Sequence, residues 1–174
     1  MMRSIGLSGV LAAALLTAAV APASAGDVKT RLSGYDETPS TISTTASGEF
    51  KAKIHQDGTA IDYELTYQYP ESVVTQAHIH FGRPAITGGI VLFLCTNLAP
   101  PVGGPAPPAC HSAPTTITGT LTEADVIAVV AQGIDAGATG FAEILDAIRA
   151  GAAYVNVHTT GHPSGEIRGR LRGH

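Results

Sequence analysis

The sequence predicts an all-β domain of antiparallel strands folded as a sandwich or barrel, with two short helices and one disulfide. Three observations predict it. Short runs of apolar and polar alternation recur between Gly, Pro and Asp punctuation, which is the pattern of half-buried antiparallel strands. Apolar residues fall at helical spacing in two brief segments, both between strand-like runs. Two cysteines, all that the chain has, flank a proline-rich stretch.

The chain opens on Arg3 and an apolar run over residues 7–20, too short to span a bilayer and typical of a signal peptide. Ala23, Ser24 and Ala25 supply the small-x-small pattern of a cleavage site, so residues 1–25 read as a signal peptide and 26–174 as one domain. Gly26 or Asp27 would begin the mature chain. No Cys adjoins the cleavage site to accept a lipid. The expected product is secreted or periplasmic, with no membrane span once the leader is removed.

Residues 26–174 are enough for one hydrophobic core and too few for two. The whole chain carries ten Lys and Arg against fourteen Asp and Glu, a formal net charge of −4. No basic cluster is present to neutralise phosphates, which excludes nucleic acid as an expected partner. Trp is absent and aromatics are few, so the core must be built from Val, Ile, Leu and Ala with some Tyr and Phe.

Strands are expected at residues 28–33, 48–55, 61–67, 76–81, 90–95, 115–121, 154–158 and 166–171. Asp57-Gly58 between the second and third signals a hairpin, because Gly accepts the positive φ such turns need. Thr122 is a good N-cap, with Glu123 and Asp125 in a first turn and Val126, Ile127, Val129 and Val130 behind it, which predicts the first helix. Phe141, Ile144, Leu145 and Ile148 at helical spacing, with Gly151 beyond, predict the second over residues 141–150. Both should cap one end of the sandwich or barrel. Cys95 and Cys110 enclose Pro100, Pro101, Pro105, Pro107 and Pro108. In an oxidising compartment they should pair, and closing that loop contributes about 3 kcal/mol on the chain-entropy account.

The sharpest chemical feature is Ala77-His78-Ile79-His80-Phe81. On a strand, Ala77, Ile79 and Phe81 face one side, while His78 and His80 project together from the other, about 6 to 7 Å apart. That spacing suits two imidazoles converging on one metal ion. A His-x-His pair alone is a weak signal, since such pairs are often surface or hydrogen-bonding residues. The segment Tyr154-Val155-Asn156-Val157-His158 strengthens it by placing His158, with Asn156 and Tyr154, on the polar face of a second strand. Three imidazoles suit copper or zinc. His162, beside Pro163 in a turn, and His111, next to Cys110, are candidate fourth ligands. His55 and His174 read as solvated ends.

In Glu166-Ile167-Arg168-Gly169-Arg170-Leu171 the charged face bears Glu166, Arg168 and Arg170. The plain reading is a solvated or ion-paired face. The functional alternatives place Glu166 and Asn156 just outside the ligand set, with Glu166 accepting an N–H from a metal-bound His, or have Arg168 hold a partner's carboxylate. No Gly-x-Ser-x-Gly elbow and no phosphate-cradling Gly loop occur, and Gly103-Gly104 reads as slack in the proline-rich loop. Hydrolase and nucleotide-dependent functions are therefore not expected, and no catalytic residue or organic cofactor is assigned.

Several segments run through nearly the whole of residues 26–174: Leu32-Ser33-Gly34, Glu37-Thr38-Pro39, Ala46-Ser47-Gly48, Ala77-His78-Ile79-His80 with Gly82, Gly119-Thr120-Leu121-Thr122, Ala150-Gly151, Tyr154-Val155-Asn156-Val157-His158-Thr159 and Pro163-Ser164-Gly165-Glu166-Ile167-Arg168-Gly169. Together they resemble the CHRD domain, named for chordin and also found singly in exported bacterial proteins. The resemblance implies an all-β extracellular module. In chordin the repeats belong to a protein that binds secreted growth factors, a partner that a lone copy need not share. The strand-borne His-x-His is also similar to the copper-ligating pair of copper/zinc superoxide dismutase, an antiparallel Greek-key barrel with a loop disulfide. That likeness implies a superoxide-dismutase-like Greek-key barrel here, with His78 and His80 as copper ligands and His158 as a third. The bridging His and the His and Asp set of that enzyme's zinc half find no counterpart, which leaves a dismutase reaction unsupported.

The expected function is an exported binding module with a mononuclear copper or zinc site, engaging a protein or cell-envelope partner that the sequence does not name. Two alternatives stand beside it. One is a periplasmic copper redox or superoxide-handling enzyme. The other is a structural or adhesive extracellular domain whose histidines only hydrogen-bond.

Overall fold

A computed structural model describes residues 26–102 and 104–173. The expected signal peptide and His174 lie outside them. The strands are β1 (Asp27–Ser33), β2 (Ser47–Ile54), β3 (Ala60–Gln68), β4 (Val74–Phe81), β5 (Gly89–Thr96), β6 (Thr115–Thr122), β7 (Ala153–Thr159) and β8 (Ile167–Leu171). All eight expected strands form, because alternation sorts each one into a core face and a polar face. Phe50, Ala52 and Ile54 of β2 and Ile61, Tyr63, Leu65 and Tyr67 of β3 enter one core with Ile79, Leu92, Leu94 and Ile167. Burying a Leu or Ile side chain of this kind contributes about 1.5–3 kcal/mol. The Asp57-Gly58 hairpin forms as expected, with Gly58 at φ 70°.

The strands make one antiparallel sheet in the order β5-β4-β7-β8-β1-β2-β3-β6. It curls into a nearly closed barrel, bringing the edge strands β5 and β6 near each other. The Tyr63 hydroxyl on β3 donates to the Leu94 carbonyl on β5 at 2.6 Å, across the gap. The outer edge of β5 is also covered: the Thr96 N–H donates to the Pro108 carbonyl at 2.9 Å, and the Cys95–Cys110 disulfide ties that loop down. A covered edge is protected from pairing with another chain. The thinnest junction is β1 with β8, a single ladder pair of Ser33 and Arg168. Gly169 permits it, since a Cβ there would sit 2.3 Å from the Arg31 carbonyl oxygen.

Of the two expected helices only the second forms. It is α1 (Gly137–Arg149), which begins ahead of the expected residue 141 and buries Phe141, Ile144, Leu145 and Ile148. Gly151 follows it at φ 65°, the left-handed cap that glycine accommodates. The first is replaced by 3-10 turns. Thr122 and Asp125 do cap each other around Glu123–Asp125, but Val126 is already extended. The Ile127 N–H then bonds the Val91 carbonyl of β5 at 2.9 Å, and Val129 bridges Ile134. A β-branched run loses rotamer freedom in a helix, and the Val91 carbonyl on the outer edge of β5 offers it an extended alternative.

Candidate metal centre

Strand β4 lies between β5 and β7, and its Gln76, His78 and His80 leave the core on the outer face of the barrel. The β4–β7 register sets Gln76 opposite His158, His78 opposite Asn156 and His80 opposite Tyr154. His158 is thus diagonal to His78, within reach of a ring. On the other flank, register shifts between Ala77 and His78 and between Ile79 and His80 bring Phe93 opposite His78. Bulges of this kind re-aim side chains.

The three imidazoles converge. Ring centroids are 4.8 Å apart for His78 and His158, 5.4 Å for His78 and His80, and 6.0 Å for His80 and His158. One nitrogen from each ring lies within 4.8 Å of the other two. The residues are 0%, 6% and 7% exposed at positions 78, 80 and 158.

Each ring is held by its other nitrogen. His78 Nε2 lies 2.9 Å from Gln76 Oε1, His80 Nδ1 3.0 Å from the Gly88 carbonyl, and His158 Nδ1 2.9 Å from the Pro163 carbonyl. These oxygens accept, so the held nitrogens donate and the opposite nitrogens are bare lone pairs. Those lone pairs, His78 Nδ1, His80 Nε2 and His158 Nε2, are buried without a hydrogen-bond partner. Leaving one buried acceptor unpaired costs about 1–3 kcal/mol, and here three do so around one point.

Burial also keeps the rings neutral. Desolvation pushes His78 down to about 2 and His80 down to about 4, with the neighbouring imidazoles adding to both. His158 is lowered by burial against the opposing pull of the Pro163 carbonyl. Neutral imidazole is the ligating form. Three such donors without a carboxylate fit copper or zinc. With metal bonds of about 2 Å, three ligand atoms sit roughly 3.5 Å apart, so the rings need close by only about 1 Å.

A roof of side chains covers the trio. Tyr154 stacks flat on His80, with centroids 4.7 Å apart and planes 2° from parallel. The Arg168 guanidinium lies 3.4 Å above the Tyr154 ring, a cation–π contact. It also donates to the Ile86 carbonyl at 2.8 Å and to the Thr38 hydroxyl. Asn156 donates to the Glu37 carboxylate and, at 3.0 Å, to the Ile167 carbonyl. Burial raises Glu37 to about 7, with Asn156 and Arg168 pulling the other way.

Of the other sequence-expected site residues, His111, His162 and Glu166 lie elsewhere, while Asn156 pairs opposite His78. His111 is exposed and gives its backbone carbonyl to the Tyr67 hydroxyl at 2.5 Å. His162 gathers with Glu71 and Glu166, not with the imidazole trio. Neither Glu166 nor Asn156 holds a ring of the trio: Glu166 accepts from Thr44 and from the Glu71 N–H, and the Pro163 carbonyl already holds His158. That orienting work falls to Gln76 and two backbone carbonyls. Sequence reasoning passed over Gln76, although it shares the polar face of β4 by simple alternation. Glu37 stood only within the Glu37-Thr38-Pro39 segment of the family resemblance, with nothing local to place it beside Asn156.

The family model of the CHRD domain matches residues 28–171. Comparison with curated proteins and with solved structures gave no match.

Proposed function

We propose, starting from the fact that this chain belongs to the CHRD domain family, that it is an exported binding module holding one copper or zinc ion on His78, His80 and His158. The observation that carries the reading is the meeting of three bare, buried imidazole lone pairs, each fixed by a hydrogen bond on the far side of its ring. Outer partners of this kind set the tautomer and ring direction that a metal needs.

Export is supported by the disulfide, which oxidising compartments favour. Among the described residues no helix is long and apolar enough to cross a membrane. Rings at most 7% exposed leave little room for a substrate beside an ion, which favours holding an ion over turning over a substrate.

The test is titration with Cu+, which imidazole donors accept readily, against a competing chromophoric chelator. The wild-type protein should bind one ion per chain, and His78→Ala/His80→Ala should weaken binding by at least about 100-fold, beyond what outer-shell losses cost. Equal binding by the two proteins would end the proposal.

A further inference from the structure

We propose that Glu71, His162 and Glu166 form a second cation site, separate from the imidazole trio and open to solvent, for a divalent ion of the Zn2+ or Mn2+ class. The three residues come from two connections. Glu71 precedes β4, whereas His162 and Glu166 lie in the loop from β7 to β8. A backbone bond fixes the two stretches against each other, the Thr160 N–H donating to the Val73 carbonyl at 2.9 Å, and the Gly165 N–H closes the second loop on the His162 carbonyl at 3.0 Å. The Gly161 N–H also donates to the Ser72 hydroxyl at 2.8 Å. The ligand atoms are therefore positioned before any ion arrives.

Glu166 is the floor of this site. Its residue is 0% exposed. Oε1 accepts from the Thr44 hydroxyl at 2.7 Å and from the Glu71 N–H at 2.9 Å. Oε2 is buried and has no partner. A buried carboxylate oxygen without a donor is unfavourable unless something positive meets it. One carboxylate oxygen of Glu166 and one ligand atom each of Glu71 and His162 lie within 4.8 Å of one another. His162 Nε2 stands 3.7 Å from Glu71 Oε2, and those side chains are 27% and 47% exposed. Two arms thus reach over a buried carboxylate from the solvent side.

The donor set selects the ion. Two carboxylates and one imidazole offer a divalent cation mixed oxygen and nitrogen donors, a set that fits Zn2+ or Mn2+. The proposal stands whether or not the trio holds a metal.

Zn2+ titration of the purified protein tests it. In His78→Ala/His80→Ala, which lacks the trio, one Zn2+ should still bind per chain. Adding Glu71→Ala or His162→Ala should weaken it by at least about 10-fold, the lower end of what even outer-shell losses cost. Both changes spare the backbone groups that fix the loops. A second arm uses the wild-type trio loaded with Cu+ first, then Zn2+, with and without Glu71→Ala, so that the result does not depend on the double variant folding. No Zn2+ binding in either arm, or binding unchanged by both single substitutions, overturns the second site. Zn2+ binding retained in the double variant, while the wild type takes up neither Cu+ nor a second Zn2+, overturns only the trio.

Discussion

In β2, Phe50, Ala52 and Ile54 enter the core while Glu49, Lys51 and Lys53 face water or its edge. In β7, Ala153, Val155 and Val157 enter the same core, yet Tyr154, Asn156 and His158 are at most 7% exposed. On β2 the charges answer to solvent and to each other: Lys51 Nζ lies 2.8 Å from Glu49 and 3.2 Å from Glu64, and Lys29 lies 3.0 Å from Glu49. On β7 the place of water is taken by Glu37, by the carbonyl of Pro163 and the N–H of Gly88, and by Arg168. Alternation therefore tells which side chains leave the core. Whether they then meet water depends on loops that cross above them, and where loops roof a face every polar atom needs a protein partner or a ligand.

Acid should separate the two faces most. An imidazole in the unfolded chain titrates near 6.5, whereas burial holds His78 to about 2 and His80 to about 4 in the fold. The folded protein then binds fewer protons than the unfolded chain. The stability tied to these neutral rings is complete above about pH 6.5 and is lost as pH falls toward 4 and below. Glu37 works in the opposite sense: raised to about 7 from 4.5, it favours the fold less as pH climbs between those values. Two buried histidines outweigh it. At about 1.4 kcal/mol per unit, the metal-free protein should lose several kcal/mol between pH 6.5 and 4, read as a falling urea midpoint. A midpoint that holds steady over that range would mean the rings are not kept neutral.

Arg168→Ala removes the upper layer of the roof. It strips the cation from the Tyr154 face and frees the Ile86 carbonyl and the Thr38 hydroxyl. Two charge-assisted hydrogen bonds at roughly 1.5 kcal/mol each set the expected loss at about 3 kcal/mol. Arg168→Lys should recover little, because an ammonium cannot lie flat on the ring and serve both oxygens. Denaturation curves of the two variants decide this. If Arg168→Lys matches the wild type, the roof does not depend on guanidinium geometry.

The strands and the disulfide are legible in the sequence because each rests on local periodicity or on a short closed loop. Periodicity also puts His78, His80 and His158 on the polar faces of their strands, while their meeting rests on the β4–β7 pairing. What sits over the trio is not legible. Glu37 reaches Asn156 across 119 residues and Arg168 reaches Thr38 across 130, and no spacing rule connects positions so far apart. The fate of His162 is illegible for the same reason: its turn places it beside Glu71, from a connection on the far side of the chain. The missing first helix has a different cause. Thr122 and Asp125 are a correct local cap, but the edge of β5, far away in sequence, captures Ile127.

Lys51→Ala should have the smallest effect, and it is the control on which the comparison turns. Lys51 bridges Glu49 and Glu64 on the outer face of β2, and those pairs draw Lys51 above its ordinary value and Glu49 below its own. Both groups remain in solvent, where an ion pair gains little over the water it displaces and salt screens the remainder. The melting temperature should fall by less than about 2 °C, and added salt should erase the difference from wild type. The same salt should leave the deficit of Arg168→Ala nearly intact, because contacts beneath a roof are poorly screened. A loss in Lys51→Ala that rivals Arg168→Ala and survives salt would show that the β2 face is roofed as well, by something that binds it in solution, and the contrast with β7 would have to be redrawn around that partner.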